Sequence, residues 1–230
     1  MAPRILITGG ATPLGMNIAA ALLDEGAQVS LIVRPGSESR LGALLGQTQL
    51  IYADVWDSAS LRGRARGHQA IVHTVGSLQA DPSQGLSFQR LNAVSARNAA
   101  VMCISDGVPH LIFLSAARAL WLSPGYVAAK REAEAYLRRA GLPSSIIRAP
   151  LLYQRGTPRP LFYRLMSLIG RLPPLAWLGM SHCAPMPLDV LARAIAHIAL
   201  QPPPKPVRIY YAPQLRRLQR QLAQRSSGPA

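Results

Sequence analysis

The feature that most constrains this chain is its opening stretch, Arg4 to Arg34, RILITGGATPLGMNIAAALLDEGAQVSLIVR. Ile5, Leu6 and Ile7 form a short apolar run, and Thr8, Gly9 and Gly10 interrupt it. From Met16 to Leu23 apolar residues recur at helical spacing, Gly26 stops the pattern, and a second apolar run, Val29 to Val33, follows at once. Strand, glycine turn, helix and strand within about thirty residues make up the repeating unit of a doubly wound parallel sheet. The expected fold is therefore α/β, of the Rossmann type.

The glycines of the turn can be assigned separate jobs. Gly9 allows a tight turn off the strand, and Gly15 lets the helix pack closely on the sheet, where any side chain would meet backbone. The order is Gly9-x-x-Thr12-x-x-Gly15, so Thr12 stands where a third glycine is usual and the loop is one glycine short. Pro13 suits the first turn of a helix. A helix N-terminus presents backbone N–H groups and a positive dipole end, which makes Gly9, Gly10, Thr12, Pro13, Leu14 and Gly15 candidates to hold a dinucleotide pyrophosphate. An ordinary strand-to-helix turn is the competing reading.

With 230 residues, 49% of them hydrophobic, the chain can bury a substantial core. The expected divisions are a nucleotide-binding core over 1–150, a small cap over 151–200, and a proline-rich connector with a basic tail over 201–230. Cys103 and Cys183 match no metal spacing and read as reduced core residues. No secretory signal precedes the first strand, and the most apolar long stretch, Leu161 to Met180, contains Arg164, Arg171 and Pro173-Pro174. A cytoplasmic location is expected, peripheral to the inner face of a membrane if the basic C-terminal part docks there.

The net charge of +15 is uneven: residues 1–150 hold 14 Lys/Arg against 9 Asp/Glu, while 151–230 hold 11 against 1. An anionic membrane surface or a protein complex could use the basic surplus, as could a phosphate-rich cofactor. A merely solvated basic surface is the other reading.

Further along, Arg34 ends the second strand where an acidic residue would favour NAD; an arginine there pairs with a 2′-phosphate, with Ser37 and Arg40 able to add to it. NADP(H) is thus expected over NAD(H). Leu50 to Val55 reads as a strand whose end, Asp54 and Val55, can reach an adenine. Ala59 to Arg66 reads as a short helix. The apolar run Ala70 to Val75 ends at Gly76, which permits close backbone approach to a cofactor, and His73 inside it reads as a core histidine. Phe88 to Cys103 reads as a long helix carrying Asn92, and His110 to Leu114 as a strand ending at Ser115. Tyr126 and Lys130 then open a helix that runs to Ala140, and Ser144 to Arg148 reads as a sixth strand.

Tyrosine and lysine four apart share a helical face, so the ammonium can hold the phenol's pKa down and reach a cofactor ribose. A phenol so tuned can exchange a proton with a carbonyl or hydroxyl while hydride moves to or from a nicotinamide. Ser115 is placed to hydrogen-bond the reacting oxygen.

ITGGATPLG, ADV, VHTVGSL, NAVSARN, FLSA, YVAAK and GLPSSIIRAPLLY stand in the order and approximate spacing of extended or atypical short-chain dehydrogenases/reductases. Over about residues 4 to 200 the chain resembles that family, and within it the branch related to the accessory NADPH-binding subunit of respiratory complex I. The resemblance implies Ser115, Tyr126 and Lys130 as catalytic residues with Asn92 as a helper in proton relay. It implies Gly9, Gly10, Thr12, Gly15, Arg34, Asp54, Val55 and Gly76 around the cofactor, with Lys130 on its ribose. The expected function is NADP(H)-dependent redox or epimerase-type chemistry on a small carbonyl or hydroxyl compound. The alternative is a non-catalytic NADPH-holding subunit or scaffold of a membrane-associated complex. Thr12, Gln154 in RAPLLYQ and the short C-terminal part depart from the family pattern.

Pro187-Leu188-Asp189-Val190 starts a helix reaching about Leu200, and QPPPKP follows as a semi-rigid connector. Beyond it, Leu215, Leu218 and Leu222 share a helical face flanked by Arg216, Arg217, Arg220 and Arg225, which suits an anionic membrane or an acidic groove. A frayed tail is the simpler reading. The arginine-rich stretch carries no aromatic residues for base stacking, which argues against nucleic acid.

Overall fold

The structure is a computed structural model describing residues 2–119, 121–156, 184–204 and 206–226. Its centre is a parallel sheet built from β1 (Arg4–Thr8), β2 (Gln28–Val33), β3 (Gln49–Tyr52), β4 (Ala70–His73), β5 (Leu111–Ala116), β6 (Ser144–Ala149) and, at its far edge, β9 (Val207–Tyr211). The seven strands lie in the order β3-β2-β1-β4-β5-β6-β9. A separate parallel pair, β7 (Leu152–Tyr153) and β8 (Met186–Pro187), joins Leu152 to Met186. The chain leaves β1 toward β2 on one side and returns through β4 on the other. A crevice therefore opens above the carboxyl ends of β1 and β4, where the direction of winding reverses.

Strand alternation decides what covers each face. Ile5 and Ile7 point into one apolar cluster, with Ile18 and Leu22 of α1 (Pro13–Asp24) and Leu191, Ile195 and Ile198 of α5 (Leu188–Leu200). Leu6 points the other way, into a cluster with Met102 and Cys103 of α3 (Ser95–Ser105) and Ala133 and Leu137 of α4 (Pro124–Arg139). Continuous apolar strands of this kind belong to sheets covered on both faces.

Several expected boundaries move. The arginine-rich helix expected from Ala59 to Arg66 is only the single turn α2 (Ser58–Leu61), because Gly63 adopts a left-handed φ of 77° just beyond it. The helix expected to begin at Phe88 opens instead with a π-helical segment, Gln89–Val94, before α3 takes over. The helix α5, from the region expected as a cap packed on the core, contributes Leu191, Ile195 and Ile198 to the main cluster. The apolar stretch at 161–180 and Cys183 lie outside the described residues. Among the described residues no helix is long and apolar enough to cross a membrane. Cys103 is buried, its Sγ donates to the Val108 carbonyl at 3.2 Å, and burial pushes its thiol pKa up to about 12.

The largest correction concerns the end of the chain. Residues expected as a connector before a basic amphipathic helix or frayed tail supply the edge strand β9, paired with β6 from Ser144–Val207 to Arg148–Tyr211, ahead of the leucine-faced helix, α6 (Ala212–Ser226). The leucine face of that helix turns inward: Leu215 is fully buried in the core cluster and Leu218 packs against it. Arg216 donates through Nη2 to the carbonyls of Ala184 and Pro185 at 2.7 and 3.0 Å. The apolar stripe is thus used, at least at Leu215 and Leu218, to close the fold. Leu215→Ala is therefore expected to cost about 2–5 kcal/mol in chemical denaturation. A free tail would show no change.

Candidate active site

The loop after β1 explains itself at Thr12. This residue has φ −89° and ψ 154°, extended backbone open to any side chain, so no glycine is required there. Its hydroxyl donates to the Gly9 carbonyl at 2.8 Å and accepts from the Gly15 N–H at 3.0 Å, which makes Thr12 the N-cap of α1, with Pro13 in the first turn. The threonine replaces a missing glycine with a side-chain brace. Gly9 does need its freedom, at φ 74°. A Cβ on Gly10 would lie 2.7 Å from Leu31 Cβ, and one on Gly15 would run into the Gly9 carbonyl oxygen. Those two glycines thus serve packing, as does the buried Leu14.

A cleft of about 350 Å³ lies over the carboxyl ends of β1, β2 and β4, with Gly9, Ala11 and Thr12 on its floor and Arg34, Ser37, Arg40 and Val55 at its far end. Trp56 forms part of the wall, and the Arg34 guanidinium stands 5.7 Å over its ring, a stacking that fixes the cation's position. The Trp56 indole N–H is in turn held by the Arg90 carbonyl at 3.0 Å. Asp54, expected to reach an adenine, accepts the Trp56 backbone N–H through Oδ1 at 2.9 Å and closes the turn that carries the indole.

Gly76 and Ser77 border both this cleft and a second one. The second, about 240 Å³, lies over the ends of β4, β5 and β6 and is lined by Ser115, Tyr126 and Lys130 together with Leu114, Ala116, Trp121 and Leu152. Sequence-expected groups from three separate segments thus meet around one small space. A Cβ on Gly76 would sit 2.5 Å from Asn92 Oδ1 and 2.7 Å from Lys130 Nζ, so only a bare backbone fits between these groups where the two clefts meet.

The individual roles are more divided than the sequence suggests. Asn92, fully buried on the π-helical segment, accepts from the Ser77 N–H at 3.1 Å and donates to the Ser77 and Phe88 carbonyls at 3.0 and 3.1 Å. It braces the backbone between the clefts, and π-helical turns of this kind frequently mark functional sites. The Ser115 hydroxyl donates to Glu134 Oε1 at 2.6 Å and accepts from Arg131 Nη1 at 3.2 Å. Its single proton is committed, so in this arrangement Ser115 can only accept a further hydrogen bond.

Glu134 is the residue sequence reasoning missed. Its carboxylate, 1% exposed, pairs with Arg131 and takes two bonds from Arg148, Nε to Oε1 at 3.0 Å and Nη2 to Oε2 at 2.6 Å. Burial works to raise its pKa, but hydrogen bonds from Arg148 and Ser115 and the charges of both arginines outweigh it and hold the carboxyl below its ordinary value. Arg148 also bonds the Tyr211 hydroxyl, so β9 reaches the network from the sheet edge. Glu134 stands four residues after Lys130, a spacing visible in sequence; its partner on β6 is visible only in the fold.

Lys130 is 2% exposed, and its Nζ donates to the Leu114 carbonyl at 2.9 Å. Burial drives its pKa down to about 7 against the opposing pull of Glu134. Burial likewise pushes the Tyr126 phenol up to about 12, with Arg131 opposing. The expectation that the lysine depresses the phenol is therefore corrected: desolvation dominates both groups, and the phenol is protonated at neutral pH. His73 lies within β4, its Nδ1 2.8 Å from Thr8 Oγ1, and burial followed by the Lys130 charge holds it neutral with a pKa of about 3.

A parallel sheet with a glycine turn at the switch point, and a tyrosine–lysine helix beside it, defines a dinucleotide-binding α/β protein. Residues 9–166 match the NAD(P)H-binding family, and the chain belongs to it. It is 26% identical to UDP-glucose 4-epimerase of Azospirillum brasilense, over an alignment covering 80% of this chain and 62% of that enzyme. The chain therefore spans less than two thirds of that relative's length. Its fold resembles the thiolation-reductase di-domain of an archaeal non-ribosomal peptide synthetase, with a TM-score of 0.68 at 15% identity, covering 92% of this chain and 56% of that one. It also resembles the dTDP-glucose 4,6-dehydratase DesIV of Streptomyces venezuelae, whose structure holds NAD, with a TM-score of 0.65 at 18% identity, covering 98% of this chain and 82% of that one.

The Lys130 environment generates a stability prediction. Between about pH 7 and 10.5 the unfolded chain holds a lysine proton that the folded chain has released, so raising pH through that window favours folding. The unfolding free energy of the wild type is expected to gain on that of Lys130→Met as pH rises from 7 to 10.5. Parallel pH profiles of the two proteins would show that the amine is not held in its neutral form.

Proposed function

We propose that the chain is an NADP(H)-dependent oxidoreductase of the short-chain dehydrogenase/reductase type, acting on a small carbonyl or hydroxyl compound. The observation that carries this reading is the placement of Tyr126 and Lys130 in a pocket that shares Gly76 and Ser77 with the dinucleotide cleft. The cradle fits the cofactor: Gly9 and Thr12 at the N-terminus of α1 suit a pyrophosphate, and Gly76 leaves the backbone bare where the two clefts meet. A nicotinamide supplies or accepts hydride when bound.

The chain's own residues handle the proton. With its pKa near 12, Tyr126 Oη carries a proton at neutral pH and can donate it to a carbonyl oxygen, the reductive direction. Lys130 titrates near neutrality close by, and its charged form stabilises the phenolate left behind. Asn92 and the Leu114 carbonyl hold Ser77 and Lys130 in place. Epimerase-type chemistry needs the same tyrosine to give and take protons in turn, and the similarity to UDP-glucose 4-epimerase supports keeping it as a variant of this reading.

Preference for NADP(H) is inferred from Arg34, Ser37 and Arg40, which line the cleft end where the ribose-side phosphate belongs. Calorimetry is expected to show tighter binding of NADPH than NADH, with Arg34→Asp erasing the difference. Equal affinities in the unmodified protein would refute the 2′-phosphate assignment.

A second reading, a non-catalytic NADPH-holding subunit, is favoured by one observation: the Ser115 proton is spent on Glu134 rather than free for a substrate oxygen. Tyr126→Phe separates the two. As an enzyme, the variant is expected to lose about 10²-fold or more in turnover with NADPH affinity little changed. A holding subunit would show stabilisation by NADPH, no oxidation of it with any carbonyl, and no effect of the substitution.

A further inference from the structure

The pocket beside Tyr126 differs from what a nucleotide-sugar enzyme needs. Its described lining contains no Asp, Glu, Asn, Gln or Arg side chain, the groups that would hold sugar hydroxyls or phosphates. Its polar lining comes chiefly from Thr74, Ser77, Ser115, Tyr126 and Lys130. The rest is apolar, with Leu78, Leu114, Trp121, Leu122, Leu151 and Leu152 the largest contributors. The described space measures about 240 Å³, below the ~300–1,000 Å³ usual for drug-sized ligands.

We infer that this pocket selects a small apolar carbonyl compound, an aldehyde or ketone with a hydrocarbon body of several carbons, rather than a sugar nucleotide. The inference rests on the proposed oxidoreductase reading for its chemistry and on the pocket lining for its specificity. In the step, the carbonyl π bond breaks, the carbon gains a hydride from the reduced nicotinamide, which is oxidised, and the oxygen gains the Tyr126 proton. The product is an alcohol. The hydrocarbon body lies against Leu122, Trp121 and Leu152, where each added methylene leaves water.

The test uses the full chain with NADPH and the straight aldehydes from acetaldehyde to hexanal, beside UDP-glucose. Each methylene is expected to raise kcat/KM about fourfold, the factor that corresponds to ~0.8 kcal/mol, for a total of about 10² across the series. The matching alcohols, ethanol to hexanol, are expected to bind the NADPH complex with the same chain-length gain, read from quenching of Trp121 fluorescence against a Trp121→Phe control. Leu122→Asp is expected to flatten both series. If no aldehyde is reduced but the alcohols still bind more tightly with length, the pocket assignment stands and the oxidoreductase reading falls. Flat series for aldehydes and alcohols, or turnover of UDP-glucose in preference to hexanal, would overturn the inference.

Discussion

A central constraint at this site is the absence of a side chain at Gly76. The backbone there passes between the Asn92 amide and the Lys130 amine so closely that even a methyl group would overlap both. Two modest hollows over neighbouring strand ends meet at Gly76 and Ser77, with a cleft suited to a dinucleotide on one side and the phenol of Tyr126 on the other. The switch in winding direction between β1 and β4 opens the crevice, and Gly76 lies on the border of the two clefts within it.

The second determinant is a buried carboxylate. Glu134 would be costly in the core alone, but Arg131, Arg148 and Ser115 surround it and keep it ionised. This network links α4 to β6 and, through Tyr211, to the edge strand β9. It also withdraws the Ser115 proton from the pocket, leaving Tyr126 as the phenolic donor there. A packing arrangement thus sets which hydroxyl proton is left to face the pocket.

Much of this was legible in the sequence. The glycine turn, the alternation of Ile5, Leu6 and Ile7, and the register of Ser115 before Tyr126 and Lys130 follow from local periodicity, and the structure places them as a parallel sheet with its crevice at the strand ends. What local pattern could not give was the effect of partners distant in sequence. The pKa values of Tyr126 and Lys130 are set by burial, which a four-residue spacing does not report. Glu134 gains its meaning from Arg148, and β9 gains its from β6. VRIYY, with its β-branched and aromatic residues, carried a strand signal, but proline on one side and arginine on the other made it read as linker and tail. Thr12 looked like a lost glycine because its extended backbone and capping hydroxyl appear only in three dimensions.

The most direct test of the account is a titration of NADPH followed by energy transfer from tryptophan, since Trp56 lines the dinucleotide cleft and Trp121 the pocket beside it. Saturable NADPH emission on tryptophan excitation is predicted for the wild type. Gly76→Ala, folded as judged by circular dichroism, is predicted to weaken it about tenfold or more. No transfer in the wild type, or an unchanged affinity in Gly76→Ala, would contradict the claim that the two clefts form one cofactor-bearing site.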